Sequence, residues 1–190
     1  IALKARRLKG EKAVPYIPET LHIEVPAQGA SNFFLSQAAR SITLVKDNSF
    51  PSPPQQSGSV LLAGSYPDFF SEGLRRYPEA RTWWLNYHAT RAEYENDGRR
   101  LLQTARNYDT VIVLLPDADM AMLLNELKPV AEKVIFISVL SPAHLDALPW
   151  ARTALAAYGT GSDSLRAAFA ALAGDFIPQG KLPIPLEYSQ

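Results

Sequence analysis

Five apolar runs of strand length, Val60 to Ala63, Thr82 to Leu85, Val111 to Leu115, Val134 to Val139 and Thr153 to Tyr158, start roughly 20 to 30 residues apart. That interval is the period of βα units. Runs such as VIVLL and VIFISVL hardly alternate between apolar and polar residues, as expected of strands covered by helices on both faces. The sheet should therefore be largely parallel.

The intervening segments carry helical patterns. Thr90 and Glu93 form a capping box, after which Tyr94, Gly98, Leu101, Leu102, Ala105 and Tyr108 recur on one face. Met120, Leu123, Leu124 and Leu127 make a second stripe that stops before Pro129. Leu165, Ala168, Phe169 and Leu172 make a third, with Ser162 or Asp163 as its cap and Gly174 as its stop. Ahead of these, Asn32 to Arg40 reads as a short helix, Ile42 to Val45 as strand-like, and SFPSPPQQSG as a proline-rich loop. The fold class is α/β: a three-layer αβα sandwich around a mainly parallel sheet of about five strands, joined by right-handed crossovers.

The beginning of the chain has another character. Ile1, Ala5 and Leu8 lie at helical spacing before Gly10, and Pro15, Pro18 and Pro26 then suit an extended connection. Residues 1–28 read as a helix end plus linker, and residues 29–190 as the α/β domain. IALKARRLKG is too charged and short for a signal peptide and gives the expectation of a chain cut from a longer one.

Composition narrows the partners. The 190 residues hold 19 Lys plus Arg against 19 Asp plus Glu, so no net field draws the chain to nucleic acid or to an anionic membrane. No apolar run approaches the roughly 20 residues that span a bilayer. Cysteine is absent, which removes disulfides, thiolate nucleophiles and thiolate metal sites and is compatible with either redox compartment.

Several motifs are missing. GSYPDFF, after the first long apolar run, lacks both GxGxxG and GxxxxGK, and GTGS at Gly159 to Ser162 reads as a helix cap. There is no GxSxG elbow, and His22, His88 and His144 lie far apart with no metal-ligand spacing. Neither a cofactor nor a metal is expected. His88 stands out, because NYHATRAEYEND follows a strand on the edge where sites form. Glu93, Glu95 and Asp97 offer the paired carboxyl groups that glycosidase chemistry uses, although acidic groups in a first helical turn also complement the helix dipole. Asp117 and Asp119 read as helix capping. Trp83 and Trp84, adjacent in a strand, should point to opposite faces, which leaves one for the core and the other for a sugar.

The final third carries a resemblance. Its landmarks are Ser141 with Pro142 after a buried strand, Ala157 with Tyr158 at a strand end, Leu172 with Gly174 at a helix end, and Gly180 to Pro183 reading GKLP. In that order they resemble the closing segment of family 3 glycoside hydrolases. AARSITLVKD at Ala38 to Asp47 resembles that family's entry into its C-terminal domain, and IALKARRLKG the last helix of its barrel domain.

The resemblance implies a C-terminal αβα domain whose partner is the catalytic barrel of the same parent protein. It implies contact with carbohydrate and an extracytoplasmic setting. The barrel's nucleophilic Asp and its Lys-His-Phe-Pro-Gly type loop have no counterpart here, so no catalytic residue is expected in this chain. In members resembling β-N-acetylglucosaminidases the barrel also carries the acid/base. In β-glucosidase-like members a glutamate from the second domain completes the site, and Glu93 or Glu95 would then be the candidates, with His88 nearby. The compact size favours the hexosaminidase-like branch. An independent flavodoxin-like binding module for a nucleotide or sugar is the alternative from a different class.

Overall fold

A computed structural model describes residues 29–88, 90–183 and 185–186. The expected helix end and linker at residues 1–28, and His22, lie outside the described residues. Contacts divide the chain into two compact units, Ile1–Phe33 and Phe34–Gln190, and the sheet belongs to the second.

Helix α1 (Ala30–Ser41) leads into β1 (Thr43–Lys46). There follow β2 (Val60–Gly64), α2 (Pro67–Arg76), β3 (Arg81–Trp84), α3 (Arg91–Ala105), β4 (Thr110–Leu115), α4 (Ala118–Leu124), β5 (Val134–Ser138), β6 (Thr153–Ala156) and α5 (Ser162–Leu172). Short 3₁₀ segments at Asn125–Lys133 and Pro142–Ala147 flank β5. The sheet order is β1-β6-β5-β4-β2-β3. Every pairing is parallel except that of β1, which lies antiparallel on β6 with Thr43 opposite Ala156. The sheet thus has six strands against about five expected; the added one is the strand-like segment near Ile42, which closes an edge.

The unbroken apolar runs have the predicted cause. Along β4, Val111, Val113 and Leu115 join one core cluster with Leu101, Met120 and Leu123. Ile112 and Leu114 point the other way, into a cluster with Phe69, Leu165 and Phe169. Because successive strand side chains face opposite sides, a strand between two helical layers must be apolar at every position. Helices α3 and α4 pack together, as do α2 and α5.

Helix α2 was not expected from the sequence. Pro67 occupies its first turn, where a missing N–H costs nothing, and Phe69 is fully buried against Phe169 with ring centroids 5.3 Å apart. Helix α5 also differs from expectation at its start. Its N-cap is Gly161, with no side-chain cap, and Ser162 and Asp163 lie inside the first turn, where Asp163 complements the dipole. Its end is as expected. Gly174 at φ 87° donates to Ala171 O and Asp175 N donates to Ala170 O, the paired bonds of a left-handed helix stop.

Candidate functional site

The strand order fixes where a site can form. From β2 the chain crosses through α2 to β3 on one side and returns through α3 to β4 on the other, so the order reverses between β2 and β4. At such a reversal the loops leaving the carboxyl ends diverge and open a crevice. The segments there are Ser65 and Tyr66 after β2, Leu85 to His88 after β3, and Pro116 with Asp117 after β4.

Ser65 is buried, 8% exposed, and its Oγ has no hydrogen-bond partner among the described residues. Tyr87 is 55% exposed; the partial burial of its phenol, and then the Tyr66 hydroxyl and the Asp117 carboxylate, push its pKa up, while Ser65 acts in the other direction. Asp117 accepts from Met120 N at 2.8 Å through Oδ1, so it caps α4 as expected while staying half-buried at the crevice.

His88 stands beside this group. Its Nε2 is 2.8 Å from Asp97 Oδ2, its ring meets Tyr94 edge to face at 5.0 Å, and Asp97 Oδ1 accepts from Arg100 at 3.1 Å. Glu93 closes the capping box: its carboxylate accepts from Thr90 N at 3.0 Å and Thr90 Oγ1 at 2.8 Å, while Thr90 Oγ1 accepts from Glu93 N at 3.4 Å. Glu95 accepts from Arg91 Nε at 2.8 Å. The three residues share the start of α3, yet each bonds to a different partner. His144 sits in the 3₁₀ segment after β5.

Trp83 and Trp84 do face opposite sides. Trp83 packs against the α3 cluster with Arg100 5.9 Å from its ring centroid, and Trp84, 50% exposed, lies 5.5 Å from Phe70 of α2 at a 30° tilt. Farther along the same edge, Leu140 and Tyr158 hold φ of 65° and 60°, and the Tyr158 hydroxyl donates to Thr43 Oγ1 at 2.9 Å. Among the described residues no group of three or more His, Asp or Glu is placed to hold a metal, and no helix is long and apolar enough to cross a membrane. Sequence reasoning missed Ser65, Tyr66 and Tyr87. No spacing signals them, because strand order alone brings them together.

No sequence family model and no curated protein matches the chain. Solved structures do. A family 3 glycoside hydrolase β-N-acetylglucosaminidase from Paenibacillus sp. str. FPU-7 is similar at 20% identity with a TM-score of 0.71, over 100% of this chain and 38% of that one. A fungal multi-domain family 3 β-N-acetylglucosaminidase is similar at 20% identity and TM-score 0.68, over 90% of this chain and 20% of that one. A β-glucosidase from Listeria innocua, in complex with isofagomine, is similar at 15% identity and TM-score 0.67, over 94% and 29%. The chain therefore corresponds in fold to a minor part of each of these enzymes.

Proposed function

We propose that this chain is the C-terminal α/β sandwich of a family 3 glycoside hydrolase of the β-N-acetylhexosaminidase-like kind, supporting a catalytic barrel carried elsewhere in the parent protein. Residues 1–28 would be the end of the last barrel helix and the linker, and residues 29–190 the sandwich. The observation that carries the reading is the asymmetry of coverage. All of this chain matches the Paenibacillus β-N-acetylglucosaminidase, and 62% of that enzyme has no counterpart here, the remainder after the 38% that is covered.

The local chemistry agrees with a supporting role. Glu93 is held by its capping box and Glu95 by Arg91, so neither carboxylate stands where a proton donor would be offered to a glycosidic oxygen without first giving up a bond. His88 is likewise engaged by Asp97. Packing that fixes the barrel's loops and walls one side of its cleft is the contribution this leaves.

Hydrolysis of chromogenic β-N-acetylglucosaminide and β-glucoside by the purified chain, beside a longer parent protein, tests the reading. Silence from the chain with turnover by the parent is the expected result. Turnover by the chain alone, lost on changing Glu93, Glu95 or His88, would overturn it. The β-glucosidase likeness keeps a composite site in view, and Glu93→Gln and Glu95→Gln in the parent decide that version: normal turnover eliminates it.

A further inference from the structure

The two edges of the sheet are built differently. At β1 the register shifts between Leu44 and Lys46, an irregularity that breaks the ladder and turns an edge away from further pairing. Lys46 places a charge there, and its ammonium donates to Pro149 O at 3.1 Å. At β3, the other end of the strand order, Leu61 opposite Arg81 through Gly64 opposite Trp84 pair without a shift. Its sequence, RTWW, holds neither lysine nor proline, and its single charge stands at the first position. Arg81 and Thr82 are exposed, and Trp84 is 50% exposed.

The bonding of the outer side follows from that of the inner one. Leu85 N donates to Gly64 O at 2.8 Å. The N–H and C=O of a strand residue point the same way and successive residues alternate, so Leu85, Trp83 and Arg81 turn theirs toward β2. Thr82 and Trp84 turn theirs outward. Among the described residues no strand lies on that side. Each chain thus presents the donors and acceptors of two residues on an exposed edge, the feature that recruits another strand.

The same groups select the strand that fits. An antiparallel partner related by a two-fold axis uses one patch on both sides. With Thr82 opposite Trp84 of a second copy, and Trp84 opposite its Thr82, each pair exchanges both bonds and every outward group of β3 is satisfied. Sliding the register one way brings Ala80 opposite Trp84, and the Ala80 N–H is already spent on Tyr77 O at 3.0 Å. Sliding it the other way moves the pairing onto Asn86, beyond the end of β3.

The side chains agree with that register. On one face each Trp84 lies across from a Thr82, an aromatic and β-branched pair, and on the other Trp83 meets Trp83. Arg81 falls across from Leu85, so no like charges oppose, and its diagonal neighbour is Trp83, a cation–π partner. Two copies of a chain with 19 basic and 19 acidic side chains also approach without net repulsion.

We infer that β3 pairs antiparallel with β3 of a second copy, Thr82 opposite Trp84, to make one continuous sheet across a dimer. The pairing goes beyond the supporting role proposed above and does not depend on it.

The test is sedimentation of the full chain over a concentration series, with residue-resolved amide exchange on the same samples. A monomer to dimer equilibrium is expected, with a dissociation constant on the order of 100 µM or tighter, the weak end that suits a short interface. Exchange at Thr82 and Trp84 should slow as concentration rises, while Arg81 and Trp83, already bonded to β2, should change little. Thr82→Pro removes an outward donor and leaves the β2 ladder whole, and Trp84→Lys sets a charge on the edge; each should weaken dimerisation by about tenfold or more. Trp84 belongs to neither core cluster, so its variant carries the test should Thr82→Pro fail to fold. Ile177→Ser, at a residue 81% exposed, should leave the equilibrium unchanged.

A monomer at every concentration up to about 1 mM, or a dimer whose constant Trp84→Lys does not move, would overturn the pairing. So would protection of Thr82 and Trp84 that is already full at the lowest concentration, which would assign the edge to another segment of the same molecule. Each of these results is independent of turnover by the parent enzyme, so the supporting-domain reading stands or falls separately.

Discussion

Glu72 on α2 is 4% exposed, and both of its carboxylate oxygens accept from the Arg166 guanidinium on α5, each at 3.1 Å from Nε or Nη2. Arg75 adds a weaker contact at 3.9 Å. This pair fixes the spacing of the two helices that cover one face of the sheet. Arg166→Ala would leave the carboxylate buried with little compensation, and breaking buried pairs costs about 3 to 5 kcal/mol. Because the Arg166 side chain remains 38% exposed, the expected loss lies near the lower end, about 3 kcal/mol. Denaturant unfolding of the variant checks this; a loss under about 1 kcal/mol would mean the pair behaves as a surface bridge.

Gly98 sits in the middle of α3, where alanine would ordinarily stabilise a helix by about 1 kcal/mol. A Cβ at this position would meet the backbone oxygen of Leu123 at 2.5 Å and Glu126 Cγ at 2.7 Å. The oxygen belongs to α4 and cannot swing aside as a side-chain tip can. Overpacking of about 1 to 3 kcal/mol then outweighs the propensity gain, and Gly98→Ala is expected to lower the unfolding midpoint. A raised midpoint would show that α3 and α4 separate easily.

His88 and Asp97 are 16% and 14% exposed at their side chains and bond at 2.8 Å. Asp97→Ala leaves a largely buried ring nitrogen without its partner and should cost about 1 to 3 kcal/mol, whereas Asp97→Asn keeps an acceptor and should cost less. The order of the two variants in thermal unfolding is the measurement. In the parent enzyme, turnover per folded molecule should be unchanged in both, as a structural pair requires.

The layers of the fold were legible because burial on two faces writes itself directly into composition. Val111 to Leu115 had to be apolar throughout once α3 and α5 covered opposite sides. The Thr90 and Glu93 capping box and the Gly174 stop were legible for a similar reason, each being set by backbone groups within a few residues. Helix α2 was not, because Asp68 and Gly73 lower helix propensity and tertiary contacts, Phe69 with Phe169 and Glu72 with Arg166 among them, hold the segment in place. The crevice was the least legible. His88 drew notice as a titratable residue after a strand, whereas Tyr87 beside it gained importance only through Ser65 and Asp117, 22 residues before it and 30 after it by the numbering.

Acid should weaken the fold through Asp109. Its carboxylate accepts from Ser59 N at 2.8 Å and Ser59 Oγ at 2.7 Å, clamping the turn before β2 to the start of β4. Those two bonds, backbone first, hold the Asp109 pKa below its ordinary value, with a smaller contribution from Lys133. A depressed carboxylate pKa contributes stability that is fully present above the unfolded-state value and is lost as pH falls through the folded-state value. The contribution of Asp109 is therefore intact at neutral pH and disappears below about pH 4. Asp109→Asn cannot carry the charge at any pH. Its stability should fall below that of the native chain at pH 7, and the gap should narrow at pH 3. Urea unfolding of both proteins at the two pH values measures the gap, and one that stays constant would assign the effect to the shape of the side chain rather than to its charge.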